Sequence, residues 1–232
     1  MIEVEKNSKV YYDYFRDLQK GNKSKVIYST AINTLTCASI KHLSPGNWLN
    51  NEVINLFMEY LSCREEQSNI KRDDGQIVKI FRTHFLTKLS SSSYSGTERT
   101  YSYKNVRRLF AKGNKMATRK VKNIFEYDKI ICPYHLDAGH WGCACIHVHE
   151  KTIQMYDSLM YSNDFHLRCL MQYLCDEYVS DKNQFMDLSD WKMIRCQGTS
   201  PQQENGTFES NKKYNFFCIF ILIADIFLFS RL

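Results

Sequence analysis

A stretch of alternating residues near the middle of the chain constrains the fold more than any other part of the sequence. From Trp141 to His149, large or reactive side chains alternate with small or aliphatic ones, which is the period of a β-strand. A polar turn at 150–152 follows, and the apolar run 153–156 then returns, so the order predicts an antiparallel β-hairpin. Another apolar run, 130–134, predicts a strand beside it.

The ends of the predicted hairpin bring two complementary residues together. His140 precedes the first strand and Asp157 follows the second, so the two lie about 5 Å apart, roughly one strand spacing. A carboxylate beside an imidazole fixes the tautomer and orientation of the ring, as in a nucleophilic triad. Such pairs are more often structural, but the adjoining Trp141 and the amide-rich turn 201–206 favour catalysis. Gln203 in that turn is suited to donating an N–H to an oxyanion.

Reactive side chains on one side of the first hairpin strand raise the alternative of a metal site. The candidate ligands are Cys143, Cys145, His147 and His149. Alternate residues of one strand form a line about 20 Å long, at roughly 3.3 Å per residue. Tetrahedral zinc needs ligands within about 2.0–2.3 Å of one point. We therefore expect no metal and no cofactor, and cysteines that pack as small hydrophobic residues.

The composition is that of a globular domain in a reducing compartment. Of the 232 residues, 44% are hydrophobic and 24% are charged, and the net charge is +6. Nine cysteines without framework spacing, after a charged N-terminus, favour an intracellular location, nuclear or cytoplasmic. The longest apolar run, 216–229, is too short to span a membrane and carries Asp225. The basic segment 112–122 lacks interleaved aromatic residues, so neither a membrane nor nucleic acid is an expected partner.

A helix is predicted to begin near Asn47, which is a suitable N-cap. The apolar residues that recur at helical spacing, most of them expected in the core, are Trp48, Leu49, Val53, Leu56, Phe57, Tyr60 and Leu61. Trp48 stands in the first turn, and its alternative position is an exposed one at the mouth of a cleft.

Further elements are predicted on both sides of the hairpin. An amphipathic helix is expected at 164–179 and a short one at 103–110. Apolar runs predict strands at 77–81 and 191–195. Residues 1–31 are polar and rich in tyrosine, and we expect them to form a loosely packed N-terminal extension.

Four short motifs follow one another along the chain. They are Trp-Leu-Asn-Asn-Glu-Val-Ile-Asn at 48–55, Ile-Cys-Pro-Tyr-His-Leu-Asp-Ala-Gly-His-Trp at 131–141, Tyr-Asp-Ser at 156–158 and Pro-Gln-Gln-Glu-Asn-Gly at 201–206. In this order they resemble the Ulp/SENP family, the SUMO- and NEDD8-specific cysteine proteases. The resemblance implies an α+β, papain-like cysteine protease fold with a central mixed sheet flanked by helices. That domain would span 32–232, behind the extension 1–31.

The resemblance also implies roles for individual residues. His140 would be the general base and Asp157 the residue that orients it, while Gln203 would contribute to the oxyanion hole. The implied reaction is hydrolysis of the peptide or isopeptide bond after the terminal glycine of the modifier.

Substrate recognition is implied for a second set of residues. Trp48 and Trp141 would form a narrow tunnel that admits only a Gly-Gly tail, because two clamping indoles exclude larger side chains. Asn51 would contribute to substrate binding. The implied partners are SUMO or NEDD8 and their conjugates.

The position of the nucleophile departs from the family. In the family, a cysteine between an aspartate and a glycine follows this glutamine at a fixed distance along the chain. Counted from Gln203, the position of the cysteine holds Glu209 and the position of the aspartate holds Phe208. Cys218 is the alternative nucleophile, after an insertion, although no glycine follows it. The segment from about 208 onward is therefore expected to be truncated or altered relative to the family.

Three classes of function follow from these observations. The first is a modifier-specific cysteine protease. The second is a catalytically inactive SUMO-binding pseudoprotease, since the recognition residues precede position 208. The third is a purely structural fragment. The distance between Cys218 and His140 separates the first class from the others, because a nucleophile has to lie within hydrogen-bond reach of its base.

Overall fold

Two β-sheets organise the part of the chain that the structure describes. The computed structural model describes residues 13, 16–18, 20–44, 47–69, 77–90, 100–109, 123–136, 140–159 and 164–196. A small antiparallel sheet contains β1 (Val26–Ser29) and β2 (Thr34–Thr36). The central sheet contains, in spatial order, β3 (Val78–Ile80), β4 (Lys129–His135), β5 (Trp141–His147), β6 (Thr152–Tyr156) and β7 (Lys192–Arg195).

The central sheet is mixed. Its inner strands β4, β5 and β6 are antiparallel, whereas β3 and β7 lie parallel to β4 and β6 at the two edges. The parallel neighbours need long connections, and helices provide part of each one. The predicted central mixed sheet is confirmed, and with the flanking helices the fold class is α+β.

Helices cover the sheet. Among the described residues, the helices with defined bounds are α1 (Cys37–Ile40), α2 (Asn51–Asn69), α3 (His84–Leu89) and α4 (Asp164–Lys182), with single 3-10 turns at Lys41–Leu43, Tyr103–Asn105 and Ile124–Glu126. None of the helices in the described ranges is both long and apolar enough to cross a membrane. The long predicted helix at 164–179 is confirmed as α4, which extends three residues further.

The predicted hairpin is confirmed as β5 and β6. Its alternation divides the side chains between the two faces of the sheet. One face packs mainly against α2 and includes Trp141, Cys143 and Cys145. The other packs mainly against α3 and α4 and includes Ala144, Ile146 and Ile153. The strand is shorter than expected, because β5 ends at His147 and His149 lies in the turn that precedes β6.

Helix α2 begins later than predicted. Its first residue is Asn51, and the cap is Asn50, whose side-chain oxygen accepts a hydrogen bond from the Val53 N–H at 3.0 Å. The prediction of Asn47 as the N-cap is therefore wrong. Tertiary hydrogen bonds explain the difference, because the carbonyls of Trp48 and Leu49 bind the His42 and Trp141 rings instead of continuing a helix.

Other predictions also fail where tertiary contacts override a local pattern. Tyr60 was expected in the core but is 63% exposed, since α2 buries a neighbouring stripe that includes Ile54 and Met58. The helix predicted at 103–110 is a 3-10 turn followed by further turns, linked by bonds such as Val106 N–H to the Tyr103 carbonyl. The sequence carried no periodic signal for the exposed strands β1 and β2.

Candidate functional site

The His140–Asp157 pair lies at one end of the central sheet. His140 immediately precedes β5 and Asp157 immediately follows β6, as the hairpin predicted. The His140 Nε2 and Asp157 Oδ1 atoms are 2.6 Å apart, which is a short, direct hydrogen bond. Both side chains are buried, with 3% and 2% of their surfaces exposed. The structure therefore brings together the two residues that the sequence placed side by side.

Local hydrogen bonds hold both members of this pair. The Leu136 N–H donates to the His140 carbonyl at 2.7 Å, which closes the loop that connects β4 to β5. The Leu159 N–H donates to Asp157 Oδ1 at 2.8 Å. A buried carboxylate is costly unless hydrogen bonds replace its water, and this backbone contact together with the imidazole supplies them.

The pairing also assigns the two ring nitrogens. Because Nε2 faces Asp157, Nδ1 is the nitrogen through which His140 would act on a nucleophile. The carboxylate selects this tautomer and stabilises the imidazolium form of the ring after proton transfer. The arrangement can therefore serve general acid–base chemistry.

Both tryptophans lie near the N-terminus of α2. Trp141 is buried, and its indole N–H donates to the Leu49 carbonyl at 2.9 Å. Trp48, one residue before Leu49, is 45% exposed and so takes its alternative position outside the core. Asn51 is exposed at the first turn of α2. That the two indoles face each other across a cleft stays a prediction.

The remaining predicted site residues lie outside the described residues. These are Gln203 and Cys218, together with Glu209 at the expected nucleophile position. Their roles, and their distances from His140, stay predictions.

The buried cysteines of the sheet are not suited to act as the nucleophile. Burial raises the pKa of the Cys143 thiol well above its usual range, and neighbouring Cys145 and Cys132 add to this shift. Burial also raises the pKa of Cys145, to about 12. The thiolate is the reactive form, so these thiols stay protonated and unreactive at neutral pH. They pack as small apolar residues against α2.

The four candidate metal ligands have separate surroundings. His149 pairs with Asp128 at 3.2 Å, whereas His147 lies 3.7 Å from Glu150. Both cysteines are fully buried in the sheet. Among the residues that the structure describes, no group of three or more histidine, cysteine or acidic side chains is arranged to hold a metal ion.

Tyr134 and Gly142 are neighbours of the pair that the sequence reasoning missed. Tyr134 pairs with Gly142 across β4 and β5 and is 1% exposed. A β-carbon added to Gly142 would lie 2.3 Å from the Tyr134 hydroxyl oxygen, so the ring occupies the space of the missing side chain. Glycine inside a strand pattern is a sign of such a close approach.

Comparison with known proteins gives the family. The model of the Ulp1 protease family, C-terminal catalytic domain, matches residues 47–207. Ubiquitin-like-specific protease 1A of Arabidopsis thaliana is 34% identical over 175 residues, which cover 74% of this chain and 31% of that protein. Sentrin-specific protease 2 of Homo sapiens is 28% identical over 191 residues, which cover 82% of this chain and 28% of that protein. The chain thus spans less than a third of the length of these two relatives.

Solved structures agree on the fold. The C-terminal Ulp1 protease domain in complex with Smt3, the yeast orthologue of SUMO, is 24% identical with a TM-score of 0.66, covering 94% of this chain and 82% of that chain. The SUMO protease Ulp1 with its catalytic cysteine oxidised to a sulfenic acid is 26% identical with a TM-score of 0.60, covering 84% and 74%. The predicted papain-like fold is thereby confirmed. The chain belongs to the Ulp1 protease family of cysteine peptidases, and its fold is that of the family's C-terminal catalytic domain.

Proposed function

We propose that this chain recognises a ubiquitin-like modifier of the SUMO type and acts at the bond after the modifier's C-terminal Gly-Gly. The observation that carries the proposal is the buried 2.6 Å hydrogen bond between His140 and Asp157. Relatives named as sentrin-specific and ubiquitin-like-specific proteases support the substrate class, as does the similar Ulp1 domain in complex with Smt3. NEDD8 is the alternative modifier.

The proposed chemistry is acyl transfer through a thiol. His140 Nδ1 takes the proton of a cysteine thiol, and the thiolate attacks the carbonyl carbon of the terminal glycine. Gln203 donates an N–H to the resulting oxyanion. The tetrahedral intermediate expels the amine, which receives the proton from His140, and leaves a thioester. Water then attacks the thioester with His140 again as the base, and this step releases the modifier's carboxylate and regenerates the thiol.

Recognition of the tail falls to the region around the N-terminus of α2. Trp141 is anchored by its hydrogen bond to the Leu49 carbonyl, whereas Trp48 exposes nearly half of its surface. An anchored indole and an exposed one provide the two walls that a glycine tail needs. Side chains larger than glycine would clash between them.

One observation favours a second candidate, a modifier-binding domain without protease activity. Counted from Gln203, Glu209 occupies the position of the family's nucleophilic cysteine, and a carboxylate cannot replace the thiol as nucleophile. Cys218 lies nine residues further on, in the apolar run Phe-Phe-Cys-Ile-Phe. Apolar surroundings raise the pKa of a thiol and suppress its reactivity.

An activity assay on the purified chain tests both candidates. A SUMO–aminomethylcoumarin substrate measures turnover, and a SUMO vinyl-sulfone probe detects a reactive thiol. The first candidate requires turnover by the unmodified chain. The second candidate, in which Glu209 replaces the nucleophile, predicts little or no turnover, since removing the nucleophile of a triad lowers kcat by about 10⁶. The triple variant Phe208→Asp/Glu209→Cys/Ser210→Gly restores the family's Asp-Cys-Gly segment and is expected to be active.

Matched variants separate the outcomes. In the triple variant, His140→Ala should abolish turnover, whereas Cys218→Ser should leave it unchanged. Robust turnover of the unmodified chain that is lost in Cys218→Ser, with probe labelling at Cys218, would instead identify Cys218 as the nucleophile. If SUMO and NEDD8 neither bind nor turn over with any of these proteins, the proposed function is wrong.

A further inference from the structure

Tyr134 contributes a buried hydroxyl that the His140–Asp157 pair and the proposed chemistry do not use. The side chain is almost fully buried, and within the described ranges its hydroxyl has no hydrogen-bond partner. Buried tyrosine hydroxyls normally find a partner, because removing this group from water without one is unfavourable. A group in this position therefore calls for a physical explanation.

The strand register brings this hydroxyl close to the pair. Tyr134 lies opposite Gly142 in β4 and β5, and Cys143 lies opposite Tyr156 in β5 and β6. Continuing this register by one step past the end of β6 would place Asp157 beside Gly142. Tyr134, Gly142 and Asp157 thus form one row across three strands, with neighbouring strands about 4.8 Å apart. Residues in one row project from the same face of the sheet.

Gly142 allows the tyrosine ring to cross this row. The position of an added Gly142 β-carbon is 2.3 Å from both Cζ and the hydroxyl oxygen of Tyr134. The hydroxyl end of the ring therefore lies above the middle strand, on the side chain row that leads to Asp157. Directly opposite β-carbons are about 4.5–5.5 Å apart, and since the hydroxyl makes no direct hydrogen bond, the Asp157 carboxylate is within its reach through one water.

A stacked histidine holds the ring in this orientation. His166 of α4 stacks on Tyr134 with ring centroids 5.4 Å apart and planes inclined by 29°. Burial raises the pKa of the Tyr134 hydroxyl well above its usual range, and the negative charge of Asp157 adds to the shift. The phenol therefore stays protonated and can only donate toward the carboxylate.

We propose that Tyr134 is a positioning residue, whose hydroxyl donates across Gly142, through one bridging water, to the Asp157 carboxylate and so fixes the group that orients His140. The catalytic consequence of this contact rests on the proposed function, whereas the contact itself does not. A further donor to Asp157, beside the His140 imidazole and the Leu159 N–H, restrains the carboxylate and takes up part of its negative charge. It thereby tunes the strength of the bond between Asp157 and the imidazole.

The test is the NMR signal of the shared proton between His140 and Asp157 in the full chain. With ¹⁵N-labelled histidine at mildly acidic pH, the Nε2 proton should resonate far downfield. Tyr134→Phe keeps the ring and removes only the hydroxyl, so it should strengthen the remaining bond and move this resonance further downfield. The matched control is Tyr173→Phe, which removes a fully buried hydroxyl of α4 from a ring that packs edge-on against Phe85.

Thermal unfolding gives a second, independent readout. If the hydroxyl is bonded to Asp157, Tyr134→Phe lowers the melting temperature, whereas removal of an unbonded buried hydroxyl leaves it unchanged or raises it. An unshifted Nε2 resonance in Tyr134→Phe, or an equal shift in Tyr173→Phe, overturns the proposal. If the unmodified chain shows no such resonance, both the proposal and the hydrogen bond between His140 and Asp157 are contradicted. If the resonance shifts as expected but no modifier binds, the contact is established and the proposed function fails.

Discussion

At the scale of single residues, the exposed indole before α2 is available to a ligand. Trp48 is 45% exposed, although tryptophan is usually buried for much of its surface. Exposed aromatic residues of this kind dominate binding energy when a partner buries them.

Truncation of this indole should weaken modifier binding. Trp48→Ala is expected to cost about 2 kcal/mol of binding free energy, or roughly a thirtyfold increase in Kd, because the tail loses one wall of its tunnel. Isothermal calorimetry with a modifier ending in Gly-Gly measures the change. Tyr60→Ala is the control, since Tyr60 is another exposed aromatic but lies about 13 Å along α2 from its start. Equal affinities for Trp48→Ala and the unmodified chain would count against the tunnel.

The contact of Gly142 with Tyr134 makes a second prediction at this scale. Gly142→Ala should lower the free energy of unfolding by about 1–3 kcal/mol, because the added methyl group overlaps a ring that cannot move without shifting the core. Urea unfolding measures the loss. In a Tyr134→Val background the ring is absent, so the same alanine should cost much less. An equal cost in both backgrounds would show that the ring is not the obstacle.

At the scale of elements, the start of α2 positions the residues that we propose for recognition. Asn50 caps the helix, and the residues before it place the Leu49 carbonyl within hydrogen-bond reach of Trp141, with Trp48 next to Leu49 in the chain. A helix capped by Asn47 would include Trp48 and Leu49 in its first turn. The sequence contains more than one asparagine suited to capping, and contacts from His42 and from Trp141 of β5 select Asn50.

Removal of the two candidate caps should have unequal effects. Asn50→Ala is expected to lower the free energy of unfolding by about 1 kcal/mol, since the Val53 N–H loses its acceptor. Asn47→Ala removes only a bond to the Lys41 carbonyl at an exposed position and should change stability by less than about 0.5 kcal/mol. Chemical unfolding of the two variants decides the matter. A larger loss for Asn47→Ala would contradict the assignment of the cap.

At the scale of the whole molecule, α4 introduces a pH dependence of stability. Burial raises the pKa of Glu177 above its usual range, and the charges of Asp176 and Asp181 add to this shift, partly opposed by the Tyr173 and Tyr103 hydroxyls. The folded state therefore holds this proton more tightly than the unfolded state. As a result, stability falls as pH rises from the unfolded pKa of about 4.3 through the higher folded value.

Glu177→Gln should remove this dependence. We expect the variant to gain stability relative to the unmodified chain at pH 7 and to gain little at pH 4, where Glu177 is mostly protonated in both states. Melting temperatures at the two pH values measure the difference. Asp187→Asn is the opposite control, because hydrogen bonds from Ser189 lower the pKa of that carboxyl. A Glu177→Gln variant with the same relative stability at both pH values would refute the assignment.

The sequence by itself determined the central hairpin and the juxtaposition of His140 with Asp157. A strand period of two fixes which residues share a face, and the short turn leaves one register that buries the apolar side chains. The long helix α4 followed from its amphipathic period in the same way. These features depend on contacts between residues that are close in sequence, so local patterns are sufficient to predict them.

Only the tertiary structure decided the start of α2, the exposure of Tyr60 and the place of Tyr134. The carbonyls of Trp48 and Leu49 are held by rings from distant segments, and no local pattern encodes those partners. Tyr134 belonged to an apolar run that predicted burial but not direction. Its reach toward Asp157 depends on the missing side chain of Gly142 in the next strand, and that combination exists only once three strands are aligned.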